Sequence, residues 1–241
     1  MRLACPYQLS PTQNMLGNGA QLSARNAAGG YLPSDNPASL KLWCRFGVGV
    51  SESGGFASAW ADQSGNGNDL LQATGTNQPA YSAGILTFDG VDNFMKCVAF
   101  TLNQPCTVAM LISPITWTDN EYIWDGNTAD STSCFQGGVP TPVSPEIACA
   151  AGATVGRNSY LTLASYHALT ALYSGLSSSV LVDTNAVITG NGGTNNAAGF
   201  TIGRAPGFSG TSSNIAVKEI IIRNVNDATI RQDDHDYLLT L

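Results

Sequence analysis

The chain has 241 residues, of which only 11% are charged, 10 basic and 17 acidic, giving a net charge of −7. Neutral polar residues stand in for the missing ions, 71 of them Ser, Thr, Asn or Gln, beside 26 Gly. That balance excludes binding to a nucleic-acid backbone, which needs clustered cations, and the 43% hydrophobic content excludes intrinsic disorder. No apolar run is long enough for membrane insertion.

Residues 1–37 hold Pro6, Pro11, Pro33, Pro37 and the Gly29-Gly30 pair without a sustained hydrophobic period. They predict an extended N-terminal arm, pinned on its own domain or on neighbouring subunits, ahead of one domain over 38–241. Leu3-Ala4-Cys5 follows no apolar segment, so no signal peptide is expected and Cys5 reads as an ordinary residue.

From Leu40 onward, β-branched and aromatic runs alternate with Gly, Asn, Ser and Pro. They predict strands at 40–46, 85–88, 94–100, 107–112, 122–124, 167–173, 180–182, 200–202 and 215–222. Many short strands at regular spacing mean a sandwich or jelly roll, not βαβ units. One helix is predicted near the end, capped by Asn226 or Asp227. Ile230, Tyr237, Leu238 and Leu241 would form its apolar face, packed on one edge of the sandwich.

The cysteines at 5, 44, 97, 106, 134 and 149 contain no C-x-x-C, and His167 and His235 are the chain's two histidines, so a zinc site is not expected. Several alternate with apolar residues, as in Leu42-x-Cys44-x-Phe46, where a thiol serves as a small buried hydrophobe; pairing remains an alternative. No Asn-x-Ser/Thr sequon occurs, which disfavours a glycosylated protein.

The most specific segment runs Trp60-Ala-Asp62-Gln-Ser64-Gly65-Asn66-Gly67-Asn68-Asp69, then Gln72, Gln78-Pro79 and Phe88-Asp89-Gly90-Val91-Asp92. This series resembles the concanavalin A-like, laminin G-like jelly-roll domain of bacterial and bacteriophage proteins. Tyr166 to Gly175, Phe200 to Gly203 and Ile215 to Arg223 resemble its later strands, in order. The departures are Asn93, where a second Asp often follows, and the arm, which that family does not supply. The resemblance implies an all-β, concanavalin A-like (laminin G-like) β-sandwich jelly roll with a short C-terminal helix. The shared residues are architectural: Gly65, Gly67 and Gly90 permit positive φ, the Asp, Ser and Asn side chains bond nearby amides, and Trp60 and Phe88 anchor the core.

Asp62, Ser64, Asn66 and Gly67 match the start of a calcium loop, but Ala73 stands where its bidentate glutamate is required. A hydrogen-bonded turn is expected there, with no metal and no cofactor. Trp117, Asp119, Asn120 and Tyr122 combine aromatic rings with a carboxylate and an amide, the side chains that cover a pyranose face and bond its hydroxyls. They are the candidate carbohydrate-binding residues. Catalysis is not expected: Glu121 and Asp125 lack the alternating acids of a retaining hydrolase, no G-x-S-x-G elbow occurs, His167 reads as structural and His235 as solvated.

The expectation is a non-enzymatic structural protein of a bacteriophage virion, such as a capsid decoration, fibre or tail-associated component, made in the host cytoplasm. Its expected partners are other virion subunits reached through the arm, in a homo-oligomer or larger assembly, together with surface polysaccharide. The alternatives are a free, secreted carbohydrate-binding lectin module and, after it, a glycan hydrolase or lyase.

Overall fold

The computed structural model describes residues 30–97, 100–129, 131–137, 145–158 and 160–241. Most of the expected arm, with Cys5, and positions 98 and 99 of the expected 94–100 strand lie outside the described residues.

The first ten strands are β1 Leu40–Cys44, β2 Val50–Ser53, β3 Phe56–Trp60, β4 Leu70–Leu71, β5 Ala80–Ser82, β6 Ile85–Asp89, β7 Met95–Cys97, β8 Thr101–Leu102, β9 Cys106–Pro114 and β10 Tyr122–Asp125. There follow β11 Ser133–Gly137, β12 Glu146–Ala150, β13 Thr154–Asn158, β14 His167–Tyr173, β15 Ser178–Val182, β16 Ile188–Gly190, β17 Ala197–Ala198, β18 Thr201–Ile202, β19 Asn214–Arg223 and the helix α1 Ala228–Leu238.

The fold is an all-β sandwich with a short C-terminal helix, its strands paired antiparallel. One layer runs β16, β15, β14, β9, β19, and the far edge of β19 is shared by β6 and β1. The other runs β3, β4, β7, β18, β10, β11, β12, β13. The pair Phe56↔Ala80 stitches the layers at one end through β3 and β5. Side chains alternate across each layer, so Leu86, Phe88, Met95, Met110, Trp124, Leu169 and Tyr173 enter the common core. Trp60 and Phe88 are fully buried, as their motif implied.

Strands β9 and β14 are buried along their whole length, because α1 covers their outer face. The expectation of a helix on the sandwich edge is corrected: these are central strands, and their near-continuous apolar runs need cover on both faces. Asp227 caps α1, accepting from the amides of Thr229 at 2.8 Å and Ile230 at 3.1 Å. Tyr237 and Leu238 pack inward, whereas Leu241 is 38% exposed and falls outside the predicted face.

His235, expected to be solvated, is buried at 1% exposure. Its Nδ1 meets Thr170 Oγ1 at 2.8 Å and its Nε2 meets the Asp183 carbonyl at 2.8 Å. Burial holds its pKa below the ordinary 6.5. Beside it the Arg223 guanidinium, fully buried, forks onto Asp234, with the Nη2 to Oδ1 bond at 2.9 Å, and donates to the Pro33 and Asn36 carbonyls. Glu219, also fully buried, accepts from Trp43 Nε1, the Phe46 amide and the Tyr237 hydroxyl. The helix thus docks on a saturated polar network as much as on apolar surface.

Candidate functional site

The Asp62 loop is a tie and not an open ligand set. Its carboxylate accepts from the amides of Trp43, Ser64 and Asn68 and from Ser64 Oγ, at 2.7 to 3.0 Å. Asn66 and Asn68 donate to the carbonyls of Leu40 and Lys41, fastening the turn to β1. The next motif closes likewise: Asp89 Oδ1 accepts the Val91 amide at 2.8 Å, and Gly90 sits at φ +76° with its missing Cβ 2.9 Å from that of Asn214. These residues build the frame that leads the chain into β7.

A cleft of about 720 Å³ opens where β4, β7 and β18 run side by side. Leu71, Lys96 and Thr201 lie in cross-strand register, and their neighbours in sequence, Leu70, Met95, Cys97 and Ile202, fill the core. The pleat therefore turns the first three outward. Phe94, Arg204 and Pro206 complete the wall from the loops flanking β7 and β18. Gly203, at φ +93°, aims the second loop: a Cβ there would stand 2.5 Å from the Phe88 ring.

The polar groups of the cleft divide in two. Gln72 donates to the Phe94 carbonyl at 2.9 Å and accepts the Thr74 amide at 3.0 Å. Asn127 donates to the Cys97 carbonyl at 3.0 Å and accepts from Thr201 Oγ1 at 3.0 Å. Both amides are thereby engaged in holding the wall. Arg204 lies over Phe94, its guanidinium carbon 3.5 Å from the ring centroid, and its Nε is buried with no hydrogen-bond partner among the described residues. Burial lowers its pKa from the usual guanidinium value while Asp92 pushes the other way. Lys96 is exposed, and neither cation forms a salt bridge among the described residues. Two cations and no acid are found among the lining residues.

Of the four residues singled out from sequence, Tyr122 opens β10 in the layer of the cleft, and Trp117, Asp119 and Asn120 precede it in the loop from β9. Trp117 packs half-buried against the core and donates Nε1 to the Gly137 carbonyl at 3.3 Å. Tyr122 stacks on Phe135 with ring centroids 5.3 Å apart, because an irregularity in the β10–β11 register separates it from Trp124. Asp119 and Asn120 are exposed in the intervening turn, Asn120 at φ +63°. The structure thus places one tryptophan and one tyrosine against the protein and leaves the two polar side chains outward. The segment meets the cleft-forming loop at its far end, where the Tyr122 amide donates to the Thr211 carbonyl at 2.8 Å. Beneath it, burial raises the Glu121 pKa, and Glu121 Oε2 and Gln136 Nε2 are buried without partners among the described residues.

The cleft itself was missed by sequence reading. Its signals were Lys96 alone between inward-facing Met95 and Cys97, and Arg204 directly after the Phe-x-Ile-Gly strand. His167 is buried and held on both ring nitrogens: its Nε2 accepts the Thr162 amide at 3.0 Å, and its Nδ1 lies 2.7 Å from Asp183 Oδ2.

No protein-family model and no curated protein matches the chain. Solved structures do. Trypanosoma rangeli sialidase in complex with 2,3-difluorosialic acid is similar at 14% identity and a TM-score of 0.60, over 84% of this chain and 33% of that one. Domain 4 of AbnA, a GH43 extracellular arabinanase from Geobacillus stearothermophilus, solved with arabinotriose, is similar at 11% identity and a TM-score of 0.55, over 81% of this chain and 98% of that one. An arabinofuranosidase complexed with arabinofuranosyl-alpha-1,2-xylobiose is similar at 12% identity and a TM-score of 0.57, over 76% and 50%. The chain spans about a third of the sialidase's length. At these identities the likeness establishes the β-sandwich fold. It also corrects the expectation of a non-enzymatic virion component, since these neighbours are glycoside hydrolases or a domain of one.

Proposed function

We propose that this chain binds saccharide through the β4, β7 and β18 cleft, as the glycan-recognising sandwich of a glycoside-hydrolysing protein. The cleft carries this reading. It joins apolar surface, Leu71 and Pro206, that can cover sugar C–H groups to unengaged donors, Lys96 and Arg204, that can bond hydroxyl oxygens. The arabinanase domain, matched over nearly its whole length and solved with arabinotriose, supports it. So does the laminin G-like series from Trp60 to Asp92, which leads the chain into the cleft. A longer saccharide would continue along the loop towards Asp119 and Asn120, with Trp117 and Tyr122 holding that turn in place.

The test is a glycan array followed by calorimetric titration, with release of reducing ends measured on the same glycans. Binding by the native chain, lost in Ala73→Trp, which fills the cleft, at an unchanged unfolding temperature, is the expected result. A native chain that retains no glycan, or an Ala73→Trp variant that binds as well as the native one, overturns the reading. Asp119→Ala and Asn120→Ala are expected to weaken only the longer oligosaccharides.

A further inference from the structure

We infer that the cleft selects acidic saccharides, taking the carboxylate of a uronate or a sialate between Lys96 and Arg204. This rests on the saccharide reading above and adds the charge of the ligand. The wall's two amide side chains, Gln72 and Asn127, each already donate one bond and accept another within the protein, so neither is poised to sort neutral hydroxyl patterns. The charged groups of the lining are both cationic, and neither has a carboxylate partner among the described residues. Arg204 is held over the Phe94 ring with no carboxylate at salt-bridge distance among the described residues; its Nε is buried without a partner, which leaves the Nη groups as the ones to meet a carboxylate. Lys96 projects from the neighbouring strand with no carboxylate at salt-bridge distance among the described residues. The chain has ten basic residues and a net charge of −7. Two cations without a salt-bridge partner among the described residues share a cleft lined by no acid, with Asp92 near enough to act on Arg204, so the cleft runs against the overall charge and favours an anion. Ammonium and guanidinium groups only donate, so the complementary ligand is rich in acceptors. The stacked guanidinium also carries no rotamer freedom into the complex beyond what Phe94 has already removed.

The intact chain would be titrated with a trigalacturonate, a sialylated trisaccharide and arabinotriose, each at low and at high salt. One acidic arm or both should bind at least about tenfold more tightly than arabinotriose, the scale of one charge-assisted hydrogen bond, and lose that margin as salt rises. Which acidic arm binds identifies the sugar. Lys96→Gln and Arg204→Gln should each remove about tenfold from the acidic arm and distinctly less from arabinotriose, whose hydroxyls lose a hydrogen bond but no charge pairing. Arabinotriose bound as tightly as both acidic sugars, with both substitutions acting on it as much as on them, overturns the charge assignment and leaves the saccharide reading standing. No binding in any arm overturns both. Lys96→Gln sits on an exposed strand position, so a folding defect in Arg204→Gln does not remove the test.

Discussion

The helix–sheet junction and the cleft occupy the outer faces of the two layers, and both gather charged side chains, but they treat them oppositely. Under α1, Arg223 meets Asp234 and two carbonyls, Glu219 accepts three donors, and both ring nitrogens of His235 have partners. In the cleft, Lys96 and the Arg204 Nε have none among the described residues. A saturated network stabilises a fold, whereas an unsaturated one on a solvent-facing wall is available to a ligand. The comparison separates two uses of the chain's scarce charge.

The sharpest way to break this comparison is at the junction. Asp234→Ala strands the buried Arg223 guanidinium and is expected to cost about 3–5 kcal/mol in chemical denaturation. A loss below about 1 kcal/mol would mean that the junction tolerates an unpaired cation and differs little from the cleft. Gly203→Ala comes next. It adds a methyl at positive φ against the Phe88 ring, should cost about 1–3 kcal/mol, and should also displace Arg204 and weaken saccharide binding.

The third effect is on pH. The folded pKa of His235 is depressed below 6.5, so the unfolded chain takes up the proton first, and stability falls as pH drops below about 6.5. Glu219 acts in the opposite direction nearer 4.5, because its folded pKa is raised by burial and the fold there gains stability on protonation. Denaturation midpoints of the native chain should therefore decline between about pH 7.5 and pH 5.5, and His235→Gln should flatten that decline. An unchanged slope would show that His235 is not the group responsible. The smallest effect belongs to the cleft: Lys96→Gln should move stability by less than about 0.5 kcal/mol while changing ligand affinity. A large loss of stability instead would make Lys96 part of the frame.

Each of the nine apolar runs overlaps a strand among the described residues, and 167–173 coincides with β14. Ten strands, β2 to β5, β8, β11 to β13, β16 and β17, were not read from the sequence: several are two or three residues long, and β3, β11, β12 and β13 mix Ala, Ser, Cys, Gly and Thr with isolated larger residues. Small residues bury there beside Trp124 and Tyr173, whose hydroxyl donates to the Ser133 carbonyl at 2.7 Å. Burial of that kind leaves no apolar period to detect. The expected reduced cysteines 44, 97, 106, 134 and 149 are all buried and free, and desolvation raises the thiol of Cys97 and of Cys106 to about 12.

The sequence by itself determined the all-β class, the turn motifs, the capped helix and the shortage of charge, because alternation, glycine placement and capping are local properties of the chain. Tertiary structure decided which charges are used up. Arg223 and Asp234 are eleven residues apart, Trp43 and Glu219 are 176 apart, and Lys96 and Arg204 line one cleft only because β7 pairs with β18. Whether a cation is neutralised or left open depends on partners brought by strand pairing and helix docking, and no local pattern records them. The low charge that first argued only against nucleic acid and membrane thereby acquires a place: Arg223, Asp234 and Glu219 lock the helix, Asp62 and Asp89 tie turns, and Lys96 and Arg204 face the cleft.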